Sequence, residues 1–159
     1  MIVICDTSPI TNLIQIGYLE LLNKLYGKVL IPEGVYYELS EYEYHGRILE
    51  EKDWIVVRKV IDRKEVETLL DYLDLGECEA IVLAKESSAD LLIMDERKGR
   101  NIAKEQGLEI IGLLGVLVKG RRRGYFEKLK PILDELIDEV GFRVSRNLYQ
   151  KILESVGEL

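Results

Sequence analysis

The stretch that most constrains this chain is its opening, MIVICDTSPITN. Ile2, Val3, Ile4 and Cys5 form an apolar, largely β-branched run too short for a helix, which reads as a strand buried on both faces. Asp6 stands where that strand stops. Ser8 before Pro9 pairs a helix N-cap with a proline at the first helical position, so the chain turns into a helix within three residues. In open α/β sheets ligands bind outside the carboxyl ends of the strands, which puts Asp6 at the mouth of a crevice. Taken singly, such an aspartate reads as a helix cap, and only a converging set of acids makes it more.

The same pattern returns downstream. Leu91, Leu92, Ile93 and Met94 form a second buried run with Asp95 at its end, and Leu108 to Ile111 a third. Val29, Leu30 and Ile31 precede Pro32, which opens a helix with Val35, Tyr36 and Leu39 on its apolar face and Glu38 riding on it. Trp54 to Val60 reads as an edge strand or a hairpin arm, and Asp62 to Tyr72 as a helix. Glu77 to Ser87 is an amphipathic helix carrying Cys78, Ile81, Val82 and Ala84 inward, with Glu79 in its first turn. The polar stretch from Ser40 to Lys52 reads as a helix end and a loop around Gly46, with His45 exposed. Strands alternating with helices predict an α/β fold, a central parallel sheet flanked by helices in three layers. From about residue 113 additional C-terminal helices follow: one ending in Arg121, Arg122 and Arg123, one over Phe126 to Val140 and one capped by Ser145.

With 159 residues, of which 47% are hydrophobic, the chain is expected to form one domain over 1–159. Ile110 to Val118, broken by two glycines, is far short of the ~20 residues that span a bilayer, and no signal peptide is recognisable. A cytoplasmic protein without membrane contact is expected. Cys5 and Cys78 offer neither a disulfide framework nor a metal-binding spacing. The net charge of −7 argues against a general nucleic-acid coat, which needs a positive surface, but suits an enzyme holding its own acidic cluster.

Four acids thus stand at strand ends or on flanking helices: Asp6, Glu38, Glu79 and Asp95. Carboxylates gathered in one crevice repel one another, so a site that keeps several ionised needs a cation. Mg²⁺ or Mn²⁺ suits oxygen ligands of this kind, and the chemistry that follows is metal-activated water attacking a phosphodiester.

The pieces DTSPI, IPEGVYYEL, GECEAIVLA, LLIMDERKGR and GLLGVLVKGRRRG, in this order and spacing, resemble the PIN-domain nucleases, in particular a branch of predicted nucleic-acid-binding proteins with an extended C-terminal region. The resemblance covers essentially the whole chain. It implies a PIN-like fold with Asp6, Glu38, Glu79 and Asp95 as catalytic acids, Asp6, Glu79 and Asp95 as ligands of Mg²⁺ or Mn²⁺, and Ser8 assisting. Glu77 competes with Glu79 for the place in the crevice, and Glu96 is an accessory acid. Two positions depart from the family pattern: Ile93 stands where many members carry a hydroxyl, and Glu79 where many carry aspartate. Reduced or metal-selective activity is the expectation from those departures.

Arg97, Lys98 and Arg100 just past Asp95, with Arg121, Arg122 and Arg123, are the expected phosphate-binding residues, although basic runs on helices are also ordinary solvated faces. The implied function is a ribonuclease acting on single-stranded RNA, with a toxin paired to an antitoxin and a homodimer as the expected associations. The competing readings are a catalytically weak PIN-like module that binds nucleic acid or protein, and another α/β phosphate enzyme. The phosphatase version of the latter wants an aspartate where Ser8 stands, and no phosphate-binding glycine loop is present.

Overall fold

The computed structural model describes residues 1–159. Five short strands, β1 (Val3–Cys5), β2 (Val29–Pro32), β3 (Ile55–Arg58), β4 (Leu91–Ile93) and β5 (Ile110–Ile111), form one sheet in the order β3-β2-β1-β4-β5. Every pairing is parallel; Ile4 of β1 sits opposite Leu30 on one side and Leu92 on the other. The stretch at Trp54 is therefore the edge strand, not a hairpin arm, because its partner β2 runs the same way. Ten helices cover the sheet: α1 (Thr7–Ile16), α2 (Glu20–Tyr26), α3 (Glu33–Ser40), α4 (Glu43–Glu51), α5 (Arg63–Leu69), α6 (Leu75–Glu86), α7 (Arg97–Glu105), α8 (Leu113–Arg122), α9 (Lys130–Asp138) and α10 (Arg146–Ser155).

Period-two alternation explains why β1 and β4 read as unbroken apolar runs. Val3, Cys5, Leu91 and Ile93 face the larger core, shared with α1, α2, α3, α8, α9 and α10, whereas Ile4, Leu92 and Met94 face a smaller one shared with α5, α6 and α7. Both faces are buried, so no polar residue interrupts either strand. The chain leaves β1 for β2 and β3 on one side, then returns to β4 on the other. That reversal makes the carboxyl ends of β1 and β4 the topological switch point, where ligands bind in such sheets. Asp6 and Asp95 follow those two ends.

Local boundaries follow capping chemistry. Gly17 closes α1 in the left-handed conformation, its N–H donating to the carbonyls of Leu13 and Ile14. Ser145 caps α10 through its hydroxyl, which accepts from the Leu148 N–H at 3.1 Å. α1 begins two residues earlier than Ser8-Pro9 implies, with Asp6 in the N-cap position.

The segment expected to loop around Gly46 is instead the helix α4. His45 is not exposed: it is buried with Leu49 on the inner face, lying against the rings of Tyr42 and Tyr44. Only two inward side chains in a polar stretch leave too little periodicity to read. No helix is long and apolar enough to cross a membrane.

Candidate active site

Beside the end of β1 lies a cavity of about 280 Å³ whose lining is wholly polar: Asp6, Thr7, Ser8, Thr11, Asn12, Glu38, Asp74, Glu77 and Glu96. Five of these are acids, and no Lys, Arg or His is among them. Five carboxyls with no cationic side chain among them repel one another when ionised.

Asp6 is the most perturbed of the set. The N-cap position invites a bond to the first turn of α1, yet the carboxylate makes no side-chain cap bond, and its Oδ1 is buried without a partner. Burial above all, with the charges of Glu77, Asp74 and Glu38, pushes its pKa up to about 7, although the Thr7 amide pulls the other way. The capping explanation of Asp6 therefore fails, and its buried oxygen is left with a hydrogen-bonding capacity that the fold does not fill.

Glu38 and Glu77 arrive from two helices packed closely together. Gly76 of α6 leaves the space that the Glu38 carboxylate fills, because a Cβ there would collide with Oε1 of Glu38. Gly34 of α3 does the same for Glu79: its N–H donates to Glu79 Oε1 at 2.7 Å, and a Cβ would stand 2.9 Å from that oxygen. Each helix thus gives one glycine to the other's glutamate. Burial raises the Glu38 carboxyl, with Asp74 and Glu41 adding like charge.

Asp74 and Glu77 form a reciprocal capping box on α6. Asp74 Oδ1 accepts from the Glu77 N–H at 2.8 Å, and Glu77 Oε1 accepts from the Asp74 N–H at 3.0 Å. The box holds both carboxylates at the cavity. Burial raises Glu77, and the charges of Asp74 and Glu96 raise it further. Glu96 caps α7 at the rim, accepting from the N–H groups of Lys98 and Gly99.

Several expected site residues lie elsewhere. Glu79 points away from the cavity: besides Gly34 it is paired with Arg63 at 2.7 Å, and its side chain is buried. Two residues along a helix turn a side chain by about 200°, so Glu77 and Glu79 cannot share a face, and the capping box fixes which one lines the cavity. Asp95 does not line it either. Its Oδ1 accepts from the Leu113 N–H at 2.9 Å, capping α8, and it faces a neighbouring groove with Arg100, Ile111 and Gly112 while Oδ2 stays buried and unpartnered. Burial raises its pKa, which the Leu113 amide and Arg100 partly offset. Asp6, Glu79 and Asp95 are thus not one cluster, and no three acidic, His or Cys side chains stand already gathered as a coordination sphere.

The basic residues also divide. Arg97 and Lys98 are exposed on the first turn of α7, beside Glu96 at the cavity rim. Arg100 is turned inward, its Nη1 donating to the Met94 carbonyl at 3.0 Å. Arg121 binds Glu158 at 2.9 Å, and Arg122 reaches the Ser155 carbonyl. The helix α8 starts at the Asp95 end of the sheet and runs away from it, so at 1.5 Å per residue the arginine run lies roughly 12 Å or more from that edge. Arg121 and Arg122 thus tie the C-terminal segment down, and Arg123 is exposed at the same far end of α8.

Sequence reading missed Asp74 altogether. The signal was present, since Asp74-Leu75-Gly76-Glu77 is an N-cap acid three residues before a glutamate at a helix start.

A family model described as a PIN domain matches residues 2–158, and the chain belongs to that family. PIN domains are generally nucleases, and such nucleases generally use divalent metals. A search of curated proteins finds no match.

Proposed function

We propose that the chain is a Mg²⁺- or Mn²⁺-dependent endoribonuclease that hydrolyses single-stranded RNA with water as nucleophile. The observation that carries this reading is Asp6: a buried carboxylate oxygen without a partner, heading an acidic cavity that contains no cationic side chain. The donor set fits the ion, being hard oxygens only. Asp6, Glu38 and Glu77, with Asp74, are the residues of this lining that would hold it. When bound, such an ion lowers the pKa of water and stabilises charge on phosphate oxygens.

The remaining chemistry belongs to the chain. Asp6 must release its proton from a carboxyl held near pH 7, so occupancy of the site rises towards alkaline pH. Glu38, half-buried with a raised pKa, is suited to accept the proton of the attacking water. Ser8, Thr11 and Asn12 line the same cavity and offer hydroxyl and amide donors to phosphate oxygens. The first turn of α1, whose N–H groups receive no side-chain cap, adds a partial positive charge on that side. Ser8 is not the nucleophile, because no histidine or lysine lines the cavity to activate it.

The choice of RNA, and a toxin role silenced by an antitoxin, rest on the family resemblance. The test incubates labelled single-stranded RNA and DNA with wild type and Asp6→Asn in Mn²⁺, Mg²⁺ or chelator. Metal-dependent cleavage of RNA by wild type alone is expected. The second reading, a module that binds RNA without cutting it, is favoured by one feature: the acids are not pre-gathered into a coordination sphere. Binding that survives Asp6→Asn, with no cleavage in either metal, would select it.

A further inference from the structure

A second cavity of about 500 Å³ opens along α7, beside the acidic one. The two adjoin through the chain itself: Tyr72 precedes the cavity acid Asp74 by two residues, and Lys98 follows the cavity acid Glu96 by two. Tyr72 is 57% exposed, with Lys98 Nζ 5.6 Å from its ring centroid. The ring therefore stands exposed on the rim with a cation beside it, and an aromatic face in that position can take a stacked base.

Behind the ring, Leu69 and Ile102 give an apolar floor, and Asn101, Glu105 and Gln106 a polar wall. The side-chain oxygen of Gln106 is buried with no hydrogen-bond partner. From Lys98 to Gln106 the groove follows α7 for about 12 Å at 1.5 Å per residue. Ring, cation and unpaired amide in one groove are the three contacts a nucleotide of a single strand uses: stacking, phosphate charge and base edge.

We propose that this groove is a nucleobase subsite for the strand running past the acidic cavity, with one base stacked on Tyr72, its phosphate at Lys98 and its edge at Gln106. The proposal rests on the reading of the acidic cavity as a nuclease site. Glu105 and the Gln106 oxygen both accept hydrogen bonds, so the base they favour presents an exocyclic amine, as adenine and cytosine do and uracil does not.

The test measures fluorescence anisotropy of dye-labelled octaadenylate and octauridylate on the full chain in Ca²⁺, with cleavage of the same strands followed separately in Mn²⁺. Wild type should bind octaadenylate several-fold tighter than octauridylate. Tyr72→Ala should lose about tenfold on both, the scale of one lost base–aromatic stack, and Tyr72→Phe should restore it. Gln106→Leu should level the two strands. Equal affinities for wild type, Tyr72→Ala and Gln106→Leu would overturn the subsite even if Mn²⁺-dependent cleavage is found. Subsite-dependent binding without cleavage would leave the groove standing and remove the nuclease reading.

Discussion

Replacing Asp6 by Asn should make the metal-free protein more stable at alkaline pH while removing its activity. The folded carboxyl keeps its proton to about pH 7, whereas an unperturbed one releases it near 3.8. Between those values the folded state binds more protons than the unfolded state, so stability falls as pH rises through the window, and the whole cost is present above it. A shift of roughly three units at about 1.4 kcal/mol each gives a cost of about 4 kcal/mol. Asn does not titrate. Its stability relative to wild type should therefore climb by about 4 kcal/mol from about pH 4 to about pH 8, and relief of Glu77 and Glu38 from a like charge acts in the same direction. The assay is urea unfolding of both proteins across that range in chelator, where the difference between them cancels the other carboxylates. Parallel stability curves would show that Asp6 is an ordinary carboxylate, and the account of the cavity would fall with it.

Gly76→Ala should displace the Glu38 carboxylate, because the new Cβ occupies its place. Activity should fall by up to about 100-fold, as for a misplaced catalytic group, while urea stability changes by no more than about 1 kcal/mol since Ala favours the helix. Arg121→Ala should cost about 1–3 kcal/mol by leaving the buried Glu158 short of a partner, with RNA affinity and its salt dependence unchanged. Ser8→Ala should slow cleavage without abolishing it, read as a lower kcat on labelled RNA, because the exposed hydroxyl is one donor among several lining the cavity.

The alternation of β-branched runs with amphipathic helices was enough to read a parallel α/β sheet, since strands buried on both faces carry no polar interruption. Asp6 and Glu38 were legible as well: one sits at a strand end, the other rides an amphipathic helix after a proline. The α6 acids were not resolved, because Glu77, Cys78 and Glu79 occupy consecutive positions and periodicity cannot choose between two faces when both are packed. The deciding element was Asp74, whose capping bond to Glu77 orients the pair. Asp95 was legible as a strand-end acid, but not its turn towards α8, which depends on the Leu113 amide eighteen residues on. The arginine run was legible as charge, but not its ties to the C-terminal segment: Arg121 pairs with Glu158 thirty-seven residues on, a contact that only the fold supplies.

Glu77, and not Glu79, is the glutamate of α6 that lines the cavity, and their variants test it most directly. Cleavage of labelled single-stranded RNA in Mn²⁺ by Glu77→Gln and Glu79→Gln, normalised to folded protein by circular dichroism, separates the two. The cavity geometry predicts that Glu77→Gln loses most of its activity, whereas Glu79→Gln, altered only at Gly34 and Arg63, cleaves at close to the wild-type rate per folded molecule. Full activity in Glu77→Gln together with an inactive but folded Glu79→Gln would contradict it.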